Sequence, residues 1–153
     1  MTTTASSLRI RSGSAEDQHR VGELWRLCGL SVDYNDPLAD FCFALTHDCS
    51  DVLLGEDVSG ELIASVMVGH DGHRGWLYYV SVHPRHRGLG YGRCMVVAAE
   101  MWLRDRGIKK VQLLVRSTNP SVVSFYENVG FAVTPRTVMG KWLQGEPGIL
   151  SPT

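Results

Sequence analysis

The chain has little net charge: fifteen Lys and Arg stand against sixteen Asp and Glu in 153 residues, a formal charge of −1. That balance supplies no global field to gather nucleic acid or an anionic membrane, so neither is an expected partner. Long apolar runs are missing too. The segment from Cys94 to Ala99 is a third of the roughly eighteen residues a membrane span needs. Cysteine is sparse, with Cys28, Cys42, Cys49 and Cys94 far apart and no CxxC pair. With no charged-then-apolar opening segment, these read as reduced thiols in a cytoplasmic protein, packed as small hydrophobes in helices. Lysine is scarce, three residues against twelve arginines, which favours forked recognition of phosphate or carboxylate. Internal repeats and low-complexity tracts are absent.

What remains is an ordinary globular composition, 44% apolar with 16 glycines, in a chain long enough to bury roughly 68–70% of its unfolded surface around one core. One domain is expected over residues 8–147, with a flexible leader at 1–7 and a tail at 148–153. Leu8 to Arg11 reads as a short strand. Ser14 then caps a helix whose Val21, Leu24, Trp25 and Cys28 form one apolar stripe, stopped by Gly29. Asp36-Pro37 opens a second helix. Val52 to Asp57, Glu61 to Val68 and Gly75 to Val82 read as an antiparallel meander. A long helix follows from about Leu89 to Arg106. Next come a strand over Lys110 to Val115, a helix over Pro120 to Val129 and a last strand over Val138 to Leu143, with a further short strand around Ala132 to Thr134. The order predicts an α/β (α+β) fold: a mixed, mostly antiparallel sheet of six to seven strands with helices on both faces.

The segment Val82-His83-Pro84-Arg85-His86-Arg87-Gly88-Leu89-Gly90-Tyr91-Gly92-Arg93 carries the most information. A strand ends, Pro84 blocks its continuation, and three glycines alternate at the entry to a long helix. Glycines let backbone N–H groups converge on an anion without Cβ obstruction, and the helix start adds unpaired donors and its positive dipole end. Arg85, Arg87 and Arg93 can add charge-assisted hydrogen bonds. A tight turn without a ligand is the competing reading. A dinucleotide fingerprint is excluded, because the spacing is Gly88-x-Gly90-x-Gly92 and Lys110 to Val115 holds no acid. No Gly-Lys-Ser/Thr follows, so the P-loop pattern fails as well.

Arg87-x-x-Gly90-x-Gly92, preceded by Val82-x-Pro84, resembles the pyrophosphate motif of the GNAT superfamily of N-acetyltransferases. Val115-Arg116-Ser117-Thr118-Asn119 and Phe125-Tyr126-Glu127-Asn128-Val129-Gly130-Phe131 resemble that superfamily's later strand-to-helix segment. Asn35-Asp36-Pro37 and Gly69 to Gly75 are similar to the ribosomal-protein N-terminal acetyltransferases and, more closely, to their YpeA-type bacterial relatives. The resemblance covers roughly Leu8 to Leu143. It implies acetyl-CoA as cosubstrate and direct acetyl transfer to a primary amine, of a small molecule or of a protein or peptide, in a monomer or homodimer. It further implies that Arg87, Gly88, Leu89, Gly90, Tyr91, Gly92 and Arg93 hold the pyrophosphate. Val80, Ser81 and Val82 would pair with the pantetheine as an added strand does. Asn119 would contact the coenzyme, its alternative role being an N-cap before Pro120.

Acetyl transfer needs a free amine, a polarised carbonyl and a proton for the departing thiolate. Tyr126 matches the superfamily's general acid, against the alternative of a tyrosine packed between Phe125 and Phe131. Where related N-terminal acetyltransferases often carry a glutamate, two residues before Arg116, this chain has Leu114. Tyr78, Tyr79, Gln112 and His73 are the remaining base candidates. Deprotonating a lysine amine at pH 7 costs about 4–5 kcal/mol and an α-amine about 1, so low-pKa amines are the easier acceptors. Asp33, Asn35, Asp36 and Tyr78 would line the acceptor's entry, or Asp36 would only cap its helix. His70 and His73 lack partners for a metal ligand set, so no metal is expected. A non-catalytic acyl-CoA-binding regulatory module and a phosphate-binding module for another nucleotide are the rival functions.

Overall fold

The computed structural model describes residues 7–32 and 34–145. They fall into two compact units, the first ending at Gln112 and the second beginning at Leu113.

The first unit is a five-stranded sheet in the order β1-β2-β3-β4-β5, with strands β1 (Arg9–Ser12), β2 (Ser50–Glu56), β3 (Leu62–His70), β4 (Gly75–Val82) and β5 (Val111–Gln112). β1 to β4 are antiparallel neighbours, whereas β5 runs parallel to β4 and pairs only at Gly75 and Trp76. Helices α1 (Gln18–Leu27), α2 (Pro37–Leu45) and α3 (Tyr91–Arg104) complete it. Strand alternation sends Val52 and Leu54 to one face of β2 and Leu53 and Gly55 to the other. The first face builds a core with Val21, Leu24 and Trp25 of α1 and Phe41 and Ala44 of α2. On the second, a Cβ at Gly55 would lie 3.0 Å from the Met95 sulfur of α3. The sheet is therefore sandwiched between helices, as the order of elements predicts.

The helix boundaries follow their caps. Ser14 precedes a 3-10 turn over Ala15–Asp17 rather than α1 itself. Its N–H and hydroxyl both donate to the Asp17 carboxylate, at 2.9 and 3.2 Å. Gly29 ends the helix region at φ +70°, a conformation that costs glycine nothing. At α2 the Asp36 carboxylate accepts from the N–H groups of Leu38 and Ala39, each at 3.1 Å, with Pro37 in the first helical position. At Gly75 a Cβ would come within 2.5 Å of Leu103, so glycine lets the end of α3 close on the start of β4.

The second unit contains α4 (Ser121–Asn128), ended by Val129 and by Gly130 at φ +99°. The sequence expectation here needs correction. Neither the short strand around Ala132 to Thr134 nor the strand over Val138 to Leu143 forms a regular element, and the strand expected over Lys110 to Val115 shrinks to Val111–Gln112. The sheet thus has five strands among the described residues, not six or seven. Val133, Val138, Met139 and Leu143 are exposed. An apolar stretch shows that a segment could pack as a strand, not whether a neighbour pairs with it. The cysteines are free, but Cys49 and Cys94 are exposed rather than packed. No helix among the described residues is long and apolar enough to cross a membrane.

One ionic cluster ties β1, β2 and α1 together. The Arg11 guanidinium donates to Asp17 through two nitrogens, each at 2.8 Å, and to Glu56 at 2.6 Å, while Arg20 reaches Glu56 at 3.0 Å. Chiefly through the Arg11 hydrogen bond, the Asp17 carboxyl is lowered from its ordinary 3.8 to about 2, and the same guanidinium lowers Glu56. A carboxyl with a lowered folded pKa stabilises the fold above its unfolded value and loses that contribution as pH falls through the folded one. Asp17→Asn is expected to cost about 1–2 kcal/mol at neutral pH. Thermal melts across pH should show the deficit shrinking from about pH 5 towards pH 2; a constant deficit would exclude the linkage.

Candidate functional site

β4 leaves the sheet at Val82, and a 3-10 turn over Pro84–His86 carries the chain to α3. Pro84 forces this break by its fixed φ and missing donor. The His83 N–H bonds the Ile63 carbonyl at 2.7 Å, and its ring Nδ1 accepts from the Arg85 N–H at 3.2 Å. Gly88 and Gly90 take left-handed φ values of +78° and +86°. A Cβ added at either would meet no atom within 4 Å, so the loop is open where those atoms would stand.

Gly90 is the N-cap of α3. No side chain caps the helix, and no acid lies in its first turn. The first intrahelical bond is Cys94 N–H to the Gly90 carbonyl, which leaves the Gly92 and Arg93 N–H groups without intrahelical acceptors. Uncapped donors at the positive end of a 14-residue helix, with arginines at 85, 87 and 93, are an arrangement suited to an anion. Of the residues expected to form it, Arg87, Gly88, Leu89, Gly90 and Arg93 are exposed, Gly92 is half-buried, and Tyr91 is buried as the first helical residue. Arg87 is not fully extended: its Nε donates to the Val82 carbonyl at 3.3 Å. The Cys28 thiol donates to the same carbonyl at 3.2 Å.

Upstream, β4 carries a bulge. Pairing with β3 passes from Ser65–Ser81 to Met67–Tyr78, so Tyr79 and Val80 together oppose Val66. Tyr79 has φ +51°, a left-handed value unusual for an aromatic residue. Beyond the two pairs with β5, the edge formed by Val80, Ser81 and Val82 has no ladder partner on that side among the described residues. Main-chain groups there are suited to an extended, amide-bearing ligand. The Ser81 side chain is not: it is buried and lies 2.7 Å from the Ser65 hydroxyl.

The acceptor residues divide. Asp33 lies outside the described residues. Asn35 is half-buried, and its N–H bonds the Val32 carbonyl. Asp36 is exposed and caps α2. Tyr78 is half-exposed, and burial followed by the charge of Asp71 raises its phenol. Sequence reading missed Asp40, whose carboxylate accepts from the Tyr79 hydroxyl at 2.7 Å. Burial first, and then that hydrogen bond, push Tyr79 far above its ordinary value. Tyr78 and Tyr79 are therefore poor proton acceptors. His73 sits in a turn organised by Asp71, whose carboxylate accepts from the His73 and Arg74 N–H groups at 2.9 and 2.7 Å. No group of three or more metal-ligating side chains occurs among the described residues.

In the second unit, Tyr126 is half-buried between the rings of Phe125 and Phe131, at 5.0 and 5.6 Å. Burial raises its phenol, so it stays protonated at neutral pH. Asn119 does not cap α4. Pro120 takes that position, and the Asn119 side-chain oxygen accepts from Ser121 at 3.3 Å. A cavity of about 810 Å³ opens elsewhere in the first unit, between Ser12–Ala15, the end of α2, and Trp102 and Arg106. Trp102, on α3, lies about 16 Å along the helix from the cradle.

A model of the acetyltransferase (GNAT) family matches residues 16–131. An acetyltransferase of Pectobacterium atrosepticum is 38% identical over 136 residues, 89% of this chain and 96% of its own length. One from Sodalis glossinidius is 40% identical over 124 residues, 81% of this chain and 87% of its own. Among solved structures, an aminoglycoside N-acetyltransferase in complex with CoA aligns with a TM-score of 0.76 at 17% identity, covering 94% of this chain and 99% of that one. A ribosomal-protein-alanine N-acetyltransferase from Brucella melitensis aligns with a TM-score of 0.71 at 18% identity, covering 89% and 99%. At such identities the structural likeness concerns the fold.

If the loop between β4 and α3 holds a diphosphate, a carboxylate placed in its open side must repel it. Gly90→Glu is expected to raise the dissociation constant for CoA by about 100-fold or more, since like-charge juxtaposition costs several kcal/mol. Titration calorimetry with helicity checked by circular dichroism reads this, and an unchanged constant would reject the cradle.

Proposed function

Because the chain belongs to the acetyltransferase (GNAT) family, we propose that it transfers an acetyl group from acetyl-CoA to a primary amine in a ternary complex. The observation that carries the reading is the uncapped start of α3, framed by two left-handed glycines whose Cβ positions are open. The residues present fit the coenzyme: Gly88, Gly90, Gly92 and Arg93 offer main-chain donors to a diphosphate, and Arg87 stands beside them. The edge of Val80 to Val82, which lacks a ladder partner on that side, suits the amides of the pantetheine. Acetyl-CoA, when bound, supplies the thioester carbonyl that the amine attacks.

Tyr126 is the proton donor to the departing thiolate in this reading. Its raised phenol pKa keeps the proton available at neutral pH. Leu114 stands where related enzymes often carry a glutamate, and Tyr78 and Tyr79 hold their own protons. In this reading the acceptor sheds its proton to water, which favours α-amines over lysine side chains. Asn35 and Tyr78 flank the approach of that acceptor, with Asp36 contributing charge from its capping position. Asn119 serves the coenzyme, and the four thiols take no covalent part.

A panel of amines and peptide N-termini followed by free-thiol release tests the activity. Tight acetyl-CoA binding with no thiol release on any acceptor would instead indicate a non-catalytic acyl-CoA-binding module. Tyr126→Phe is expected to keep the affinity for acetyl-CoA and lower turnover by about 100-fold; turnover equal to the parent's would remove Tyr126 from the proton-donor role.

A further inference from the structure

The bulge in β4 is held from beneath by a buried chain of polar groups that the transfer chemistry does not use. The Trp25 indole N–H donates to the Ser65 hydroxyl at 2.8 Å, and Ser65 lies 2.7 Å from the Ser81 hydroxyl. Ser65 also makes a long bond, 3.4 Å, to the Tyr79 carbonyl. Trp25 and Ser65 are 0% exposed and Ser81 is 3% exposed. The same indole lies flat against the Tyr79 ring, with centroids 3.9 Å apart and planes 8° from parallel. The Tyr79 hydroxyl is in turn fixed on Asp40.

Two buried serines face each other from adjacent strands, among neighbours that are mostly apolar. Around Ser65, β3 buries Leu62, Ile63, Ala64, Val66 and Val68, and small apolar side chains would fill the serine positions without any polar group to satisfy. What hydroxyls add is direction. Hydrogen bonds restrain β4 at Tyr79, within the bulge, and at Ser81, beside it, in a way that apolar contact cannot. A left-handed aromatic residue persists only where its surroundings over-determine it, and here a stacked ring, an anchored hydroxyl and a bonded carbonyl do so. The bulge in turn sets the course of the strand end, where the edge of Val80 to Val82 is unpaired.

We propose that Trp25, Ser65 and Ser81 are positioning residues that keep this edge in register for the pantetheine arm of the coenzyme. The proposal rests on the acetyl-CoA reading above. It separates two parts of one binding site: the cradle at α3, which grips the diphosphate, and the β4 edge, whose geometry depends on the hydroxyl chain.

The separating probes are acetyl-CoA and adenosine 3′-phosphate 5′-diphosphate, which carries the diphosphate but no pantetheine. Both are titrated by calorimetry into the full chain and its Ser65→Ala variant. Acetyl-CoA is expected to bind the variant about tenfold more weakly, the scale of one lost hydrogen bond, with affinity for the nucleotide unchanged. Trp25→Phe, which keeps an aromatic ring against Tyr79 but removes the indole donor, should reproduce that selective loss. If Ser65→Ala does not fold, Ser81→Ala removes the other hydroxyl of the pair and is read in the same way. Equal weakening of both ligands, or no change in either, overturns the positioning role, because a structural contribution alone would not discriminate between them. Equal affinity of the parent chain for both ligands overturns it too while leaving the cradle intact. A parent chain that binds neither refutes the acetyl-CoA reading itself, and this proposal with it.

Discussion

Two residues of β4 stand opposite one of β3 at Val66, and much of the first unit's site geometry follows from that mismatch. A strand carrying an extra residue bends, and its twist increases locally. β4 pairs with β5 only at Gly75 and Trp76, before the bulge, and its later residues are left with one laddered edge. Exposed strand edges are normally a liability because they invite pairing with another chain. This one is three residues long and ends at a proline-initiated turn, too short for a stable intermolecular ladder yet long enough for a ligand with a few amides. The same bend delivers the chain to the start of α3, so an unpaired strand edge and an uncapped helix end lie in direct succession.

The cradle itself costs the fold little. Its open donors face solvent, where water satisfies them, so the missing side-chain cap is not the defect it would be in a buried helix end. Left-handed backbone at Gly88 and Gly90 would be strained for other residues, and is not for glycine. The expense falls instead on the support: a fully buried indole, two buried hydroxyls and a tyrosine in left-handed backbone. Each polar member of that support has a partner, and among the described residues no buried side-chain nitrogen or oxygen is left without one. A satisfied polar network of this kind narrows the geometries a core can adopt.

This division explains which features the sequence makes legible. β4 appears with its expected bounds because an apolar run between Gly75 and His83-Pro84 has unambiguous ends. α3 appears because its 3.6-residue apolar period is long, and Gly88 and Gly90 announce their backbone by lacking a side chain. Nothing local announces the bulge. Tyr78-Tyr79-Val80 reads as ordinary alternating strand, and the extra residue emerges only from its register against β3. Asp40 was hidden for a related reason: its meaning depends on a tyrosine thirty-nine residues away. The strands expected over Ala132 to Thr134 and Val138 to Leu143 failed in the opposite sense. Local pattern was present there, but strand formation requires hydrogen bonds to a neighbour that no local pattern can specify. Asn119 shows how a strong rule misfires, since the adjacent proline, itself well suited to a helix start, takes the capping position.

The ionisable groups set a direction for the chemistry as well. Tyr78, Tyr79 and Tyr126 are all shifted upward, with burial the first cause in each. A phenol shifted in that sense holds its proton through the neutral range, where it can give one up to a stronger base but cannot take one from an ammonium. A departing thiolate needs a proton as its carbon–sulfur bond breaks, whereas an alkylammonium must already have lost its proton before attack. Proton delivery is therefore a task open to phenols of this kind, whereas taking a proton from an ammonium is not. The intrinsic acidity of the ammonium groups separates α-amines from lysine side chains by more than two pKa units before a single contact is made.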